Sequence, residues 1–280
     1  MPTPFLRLSF SFSRPSVSRA SALTASSAAI VMALTGLTAL SASKPNSVLA
    51  ADAPQVTPAT VYAGTVAETL EHAEGEGLSI AYVLMRSEAA PKYVVILFPG
   101  GNGVVNARIN QNGKLVYGKK NNFLSRARTY LVDDEFATVL TDTSDDLQRF
   151  RVLAADLKAR FPGAALYLIG TSRGTEATMT LAPRIDDLVA GIAHTSSLKD
   201  IRWFDPSGLK AKQLIVHHED DSCARTPYHA AKRSAERYGT PFVTVTGGIS
   251  EGDPCQAMAY HGYNGREDYV VGILKDWMKK

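Results

Sequence analysis

Over residues 78–280, short apolar runs rich in Val, Ile and Leu alternate with longer segments of helical period. Residues 78–85 and 93–98 predict strands, the second closing on Pro99-Gly100-Gly101. Residues 121–132 predict a helix and 136–141 the next strand. From Asp145 to Phe161, the residues Leu147, Phe150, Leu153, Leu157 and Phe161 recur at helical spacing and form one apolar stripe. A brief strand over 166–169 breaks at Gly170. Further strands are expected at 189–193, 213–216 and 242–245, with helices over 175–181 and 228–238. The last helix, 267–279, places Tyr269, Val270, Ile273, Leu274 and Trp277 on one face. Its acids stand at the start and its lysines at the end, as the helix dipole prefers. Strands and helices alternating at these lengths predict an α/β fold with a mostly parallel sheet, covered by helices on both faces. The near-continuous apolar strands fit a sheet buried on both sides.

Composition changes this picture only at the N-terminus. The chain has 280 residues, 30 Lys+Arg against 27 Asp+Glu, 45% apolar residues and two cysteines. This excludes a disordered chain or a cysteine-stapled mini-protein. Residues 1–50 hold Arg7, Arg14, Arg19 and Lys44, no acid and eleven serines. An apolar run over 28–40 follows, shorter than the roughly 20 residues that span a bilayer. Small residues at Val48-Leu49-Ala50 then precede Ala51. A basic start, an apolar middle and a small-residue exit predict a signal peptide over 1–50 and an exported product, periplasmic or secreted. A basic arm or an organelle transit peptide is the alternative. Neither twin arginines nor a cysteine at the exit points to other export or anchoring routes. Without the leader, 26 basic residues face 27 acidic ones, a net charge of −1. The mild basicity goes with it, and so does any electrostatic case for nucleic acid or a membrane surface. Residues 51–77 read as an N-terminal strand or linker and 78–280 as one domain.

In a parallel α/β sheet, ligands bind beyond the carboxyl ends of the strands. After the 166–169 strand comes Gly170-Thr171-Ser172-Arg173-Gly174, then a helix. A strand–turn–helix context gives G-x-S-x-G its meaning: a tight turn that lifts the Ser172 hydroxyl above the sheet as a nucleophile. The Arg173 amide is then a candidate oxyanion donor. After 213–216 comes His217-His218-Glu219-Asp220-Asp221-Ser222-Cys223, where a carboxylate is available to orient a histidine. The same cluster also suits a metal ion. Adjacent residues at a strand end point to opposite faces, which disfavours both histidines on one ion. After 242–245 a glycine-rich loop leads through Cys255 to His261-Gly262, just ahead of the last helix. The chain order Ser172, Asp221, His261 differs from the orders of chymotrypsin and subtilisin.

These three segments resemble those of the α/β-hydrolase superfamily across residues 78–280, and within it a group of small exported bacterial hydrolases. The resemblance implies a serine hydrolase with a Ser172–His261–Asp221 triad that cleaves small or accessible acyl esters, with no metal or organic cofactor. The family's acid usually closes an H-G-x-x-D segment. Here His217 and Asp221 match its ends while His218 replaces the glycine, so Asp220 competes with Asp221. The second oxyanion amide is expected from Phe98-Pro99-Gly100-Gly101-Asn102-Gly103, at Gly101 or Asn102. This loop lacks the third glycine and the Lys-Ser/Thr of nucleotide-binding loops. About 20 residues separate the strands at 189–193 and 213–216, too few for the helical cap that some relatives insert there. Arg173 is expected to pair with Glu176 on its helix. A peptidase, a lactonase or a non-catalytic binding module on the same fold are the alternatives. Two cysteines in an exported chain predict one disulfide, Cys223–Cys255, tying the acid loop to the histidine loop.

Overall fold

The structure is a computed structural model that describes residues 56–280. The leader expected over 1–50 lies outside the described residues. The chain enters the sheet through an antiparallel hairpin, β1 (Ala67–Gly75) and β2 (Leu78–Arg86). The sheet thus begins inside the stretch read as strand or linker. β1 alternates weakly and lies at the sheet edge, with only Ala73 of its residues buried. β3 (Tyr93–Phe98) follows, then a small hairpin of β4 (Arg108–Ile109) and β5 (Leu115–Val116). Next come α1 (Phe123–Leu131), β6 (Phe136–Thr141), α2 (Leu147–Arg160), β7 (Ala165–Thr171), α3 (Gly174–Leu181) and β8 (Gly191–Thr195). β9 (Lys212–His218), α4 (Tyr228–Tyr238), β10 (Phe242–Val245) and α5 (Glu267–Lys279) complete the chain.

Eight strands form one sheet in the order β1-β2-β6-β3-β7-β8-β9-β10. From β6 to β10 all neighbours are parallel; β1 and β2 pair antiparallel, and β2 meets β6 antiparallel. Side chains alternate across a strand, and β3 shows what that dictates. Val94, Ile96 and Phe98 join the layer with Phe150, Leu153 and Leu157 of α2 and Leu181 of α3. Val95 and Leu97 face the other way, into the layer with Phe123 and Leu131 of α1 and Val270, Ile273 and Leu274 of α5. Both faces are therefore core, and the continuous apolar runs follow. Asn122 caps α1 by accepting from the Leu124 amide, and Asp146 caps α2 by accepting from Gln148 and Arg149. These caps start each helix two residues after the expected positions. No helix among the described residues is long and apolar enough to cross a membrane.

Candidate active site

β7 runs two residues beyond the apolar run, to Thr171, and the chain turns straight into α3. Ser172 sits in that turn with φ 53°, the left-handed region, which costs a non-glycine residue on the order of 1–2 kcal/mol. Its flanks admit no side chain. A Cβ on Gly170 would stand 2.6 Å from the Gly174 carbonyl oxygen, and one on Gly174 would stand 2.2 Å from that of Phe98. The Ser172 amide donates to the Thr195 carbonyl at 3.1 Å, which fastens the turn to β8.

β9 also extends past its expected end, carrying His217 and His218 on the strand with opposite outlooks. His217 Nε2 donates to the Thr226 carbonyl at 2.9 Å and lies 3.3 Å from Asp221 Oδ2. His218 Nε2 donates to the Gly247 carbonyl at 2.7 Å, its Nδ1 accepts from the Asp220 amide, and its ring stacks on Tyr260. The two histidines do not converge on one point. Asp220 is exposed, whereas Asp221 is buried and meets His261: Nδ1 donates to Oδ2 at 2.9 Å. The Asp221 carboxylate also accepts from the Cys223 amide at 3.0 Å and from the Thr226 hydroxyl at 3.0 Å. Burial alone would raise the Asp221 pKa. The hydrogen bonds and charges of His217 and His261 more than offset this and hold it well below the usual carboxylate range.

His261 lies on a short helical turn whose backbone is held from three sides. The Ser196 hydroxyl donates to the His261 carbonyl at 2.7 Å. The Tyr263 hydroxyl, fully buried, donates to the Val216 carbonyl and accepts from the Ser196 amide. The Arg126 guanidinium donates to the carbonyls of Gly262 at 2.8 Å and Ala257 at 3.1 Å and pairs with Glu267 at 2.7 Å. Cys223 and Cys255 form a disulfide, so the acid loop and the approach to His261 are covalently joined. Ser172 and His261 both line one open cavity of about 510 Å³, together with Gly101 and Cys255.

Gly101 shares this cavity with the serine; Asn102 and Arg173 line the adjoining cleft. Among the described residues, the amides of Gly101, Asn102 and Arg173 donate to no protein acceptor. The Asn102 side chain is occupied in accepting from the Val104 amide. Arg173 and Glu176 make no ion pair, contrary to the expected helical pairing. Asp221, Cys223 and His261 also bring three potential metal-binding atoms together. The Cys223 sulfur is bonded to Cys255, and the carboxylate and imidazole are bonded to each other, so this donor set does not suit an ion. Sequence reasoning named His217 without the contacts it makes and missed Thr226, Ser196, Tyr263 and Arg126. Only His217 carried a signal, as the first position of the acid segment.

No protein-family model matches the chain, and no curated protein matches it at a significant level. Solved structures do. Est1E from Butyrivibrio proteoclasticus aligns over 75% of this chain and 97% of its own, with 17% identity and a TM-score of 0.51. A dienelactone hydrolase from Anabaena variabilis aligns over 76% of this chain and 97% of its own, with 13% identity and a TM-score of 0.54. An alpha-beta serine hydrolase homologue from Coxiella burnetii aligns over 76% of this chain and 97% of its own, with 16% identity and a TM-score of 0.51. The chain has the α/β-hydrolase fold. Within that fold, the turn at Ser172 follows a central strand, β7, and the Asp221 and His261 loops leave the same edge of the sheet after β9 and β10. The segment between β8 and β9 holds only a short 3-10 turn, Lys199–Trp203, and no cap domain.

Proposed function

We propose that this protein is a serine hydrolase of the carboxylesterase type, with Ser172 as nucleophile, His261 as general base and Asp221 as its orienting acid. One observation carries the reading. A serine held at positive φ in a strand–turn–helix faces the same cavity as a histidine whose far nitrogen is bonded to a buried carboxylate. With Nδ1–H committed to Asp221, Nε2 of His261 is left to take the Ser172 proton. The hydroxyl oxygen attacks the ester carbonyl, and the free amides of Gly101 and Arg173 receive the developing oxyanion. His261 then returns the proton to the leaving alcohol. Water, activated by the same imidazole, releases the acyl group and restores Ser172. Gly101 is favoured over Asn102 because it lines the cavity.

The test is labelling of the chain by a fluorophosphonate probe, alongside turnover of 4-nitrophenyl esters of rising acyl length. Wild type is expected to be labelled and to turn over short esters; Ser172→Ala is expected to lose both. Labelling that survives in Ser172→Ala overturns the assignment. A panel of amide substrates separates an esterase from a peptidase on the same scaffold.

We further infer that the protein is exported. The basic, apolar and small-residue order of residues 1–50 supports this, as does the Cys223–Cys255 disulfide, a bond that persists in oxidising compartments. Expression of the full chain in a bacterial host, with N-terminal mass determination of the periplasmic product, is expected to return a chain beginning near Ala51. A cytoplasmic product that keeps Met1 overturns it.

A further inference from the structure

Part of the cavity wall comes from the segment that joins β5 to α1, and its chemistry is uneven. Lys119 and Lys120 both line the cavity, and no Asp or Glu does. Lys120 is exposed, with Nζ 5.3 Å from the centre of the Tyr117 ring. Lys119 is half-buried, and among the described residues its ammonium has no ion-pair partner. The nearby acid Glu68 is already engaged, accepting from the Tyr117 hydroxyl and paired with Arg128 at 2.6 Å. Asp142, at the foot of the oxyanion loop, accepts from the amides of Val105 and Asn106.

The placing of Lys119 is specific. Its backbone lies in the left-handed region at φ 62°, although it is not glycine, and strained residues of this kind concentrate at binding and catalytic sites. Its carbonyl accepts from the Asn122 amide at 2.8 Å, at the entrance to α1, so the strained residue is built into the start of a helix. Its Nζ stands 2.9 Å from where a Cβ on Gly101 would be, so the ammonium fills the space over the glycine that shares the cavity with Ser172. An unneutralised cation at the rim of a partly enclosed cavity, beside the reacting carbonyl's expected seat, favours a ligand of opposite charge.

Resting on the serine-hydrolase reading, we infer that the substrate is an ester bearing an anionic group, with Lys119 as the residue that selects it. The scissile carbonyl sits between Ser172 and the Gly101 amide, and the anion reaches toward the β5–α1 segment. Lys120 lends a second, more solvated charge at the rim.

Two matched pairs of esters test this and distinguish where the anion lies. 4-Nitrophenyl hydrogen glutarate against 4-nitrophenyl pentanoate places a carboxylate on the acyl side. 4-Butyryloxybenzoate against its methyl ester places it on the leaving group. Wild type is expected to favour the anionic member of at least one pair by tenfold or more in kcat/KM, with the preference shrinking as ionic strength rises. Lys119→Gln is expected to reduce that ratio about tenfold, chiefly through KM, with Lys119→Arg restoring it and the remote Lys158→Gln retaining it. Lys119→Asn serves as a second neutral variant, since asparagine tolerates positive φ, and fluorophosphonate labelling confirms an intact site in each. No preference in either pair overturns the inference. So does a Lys119→Gln effect that lowers both members of a pair alike, because the cation would then serve the oxyanion rather than the substrate. Either result leaves the serine-hydrolase reading standing; absence of labelling and of all ester turnover in wild type removes that reading and this one together.

Discussion

Where the cavity wall carries His261, buried groups hold one another. The Asp221 carboxylate accepts from an imidazole, a hydroxyl and an amide, and a disulfide closes the loop that bears it. Where the wall carries Lys119, the side chains are polar, half-exposed and largely without charged partners, and the backbone is held by turns. The first wall is built to keep one geometry; the second is built to leave its charge available. The proposed chemistry needs the former, because a misplaced base loses rate steeply. The proposed recognition tolerates the latter, because a lysine acts as a point charge and needs no fixed fork.

The strongest way to break this contrast is to remove the acid. Asp221→Asn keeps the shape while denying His261 its charged acceptor, and kcat is expected to fall on the order of 10⁴-fold. Asp220→Asn, on the exposed neighbour, is expected to stay within about threefold of wild type. Equal losses in both variants would sink the assignment of roles on that loop.

Next in size is the covalent clamp. Cys223 and Cys255 lie 32 residues apart, and a closed loop of that length contributes about 3–4 kcal/mol by its effect on the unfolded chain. The double variant Cys223→Ser/Cys255→Ser is expected to melt several degrees lower and to lose activity as the acid and histidine loops loosen. A melting temperature and a kcat unchanged by dithiothreitol would contradict the clamp.

A pH titration probes β8, the strand to which the Ser172 turn is fastened. His194 on β8 is fully buried between the Thr178 hydroxyl and Gln213, and desolvation lowers its pKa to about 4. An unfolded histidine titrates near 6.5. As pH falls through 6.5 the unfolded chain gains a proton that the folded chain refuses, so stability drops until about pH 4, by up to about 3 kcal/mol. Urea unfolding at pH 7, 5.5 and 4.5 is expected to show a steeper decline in wild type than in His194→Gln. Parallel declines would mean that His194 takes up its proton without cost.

How much of this was legible in advance follows from which signals are local. The Ser172 turn is a local feature: Gly170 and Gly174 are required by backbone contacts within a few residues and the adjoining strand, so the pattern reads directly. The proposed acid was legible only as a pair. Asp220 and Asp221 differ by one residue, and the choice depends on β9 continuing through His218, whose side chain then turns away and ties down the Asp220 amide. Ser196 was illegible because its hydrogen bond to the His261 carbonyl spans 65 residues of sequence, and Thr226 because its hydroxyl, besides meeting Asp221, lies 3.1 Å from Nδ1 of His261, 35 residues on. β1 was legible only as part of a strand-or-linker stretch, because an edge strand need not bury a face, and β4 and β5 escaped because two-residue strands carry no period. Lys119 carries no signal in the sequence, since only its backbone angle and its neighbour Gly101 distinguish it.

The smallest effect comes from the residue that joins the two walls. Arg126 on α1 donates to the carbonyl of Asn121 on the lysine wall and to those of Ala257 and Gly262 on the histidine wall, while Glu267 holds its charge. With both ionic side chains mostly buried, Arg126→Gln is expected to cost about 1–2 kcal/mol of stability, since three backbone acceptors lose a charged donor. Activity is expected to fall about five- to tenfold in kcat, as His261 samples more positions, with the shape of the pH–rate profile unchanged because the titrating groups remain. Arg126→Lys keeps the charge but not the fork, and is expected to recover the Glu267 pair without both carbonyl contacts. Its kcat should therefore lie between wild type and Arg126→Gln; a lysine variant as slow as glutamine would show that the carbonyl contacts, rather than the ion pair, set the distance between the walls.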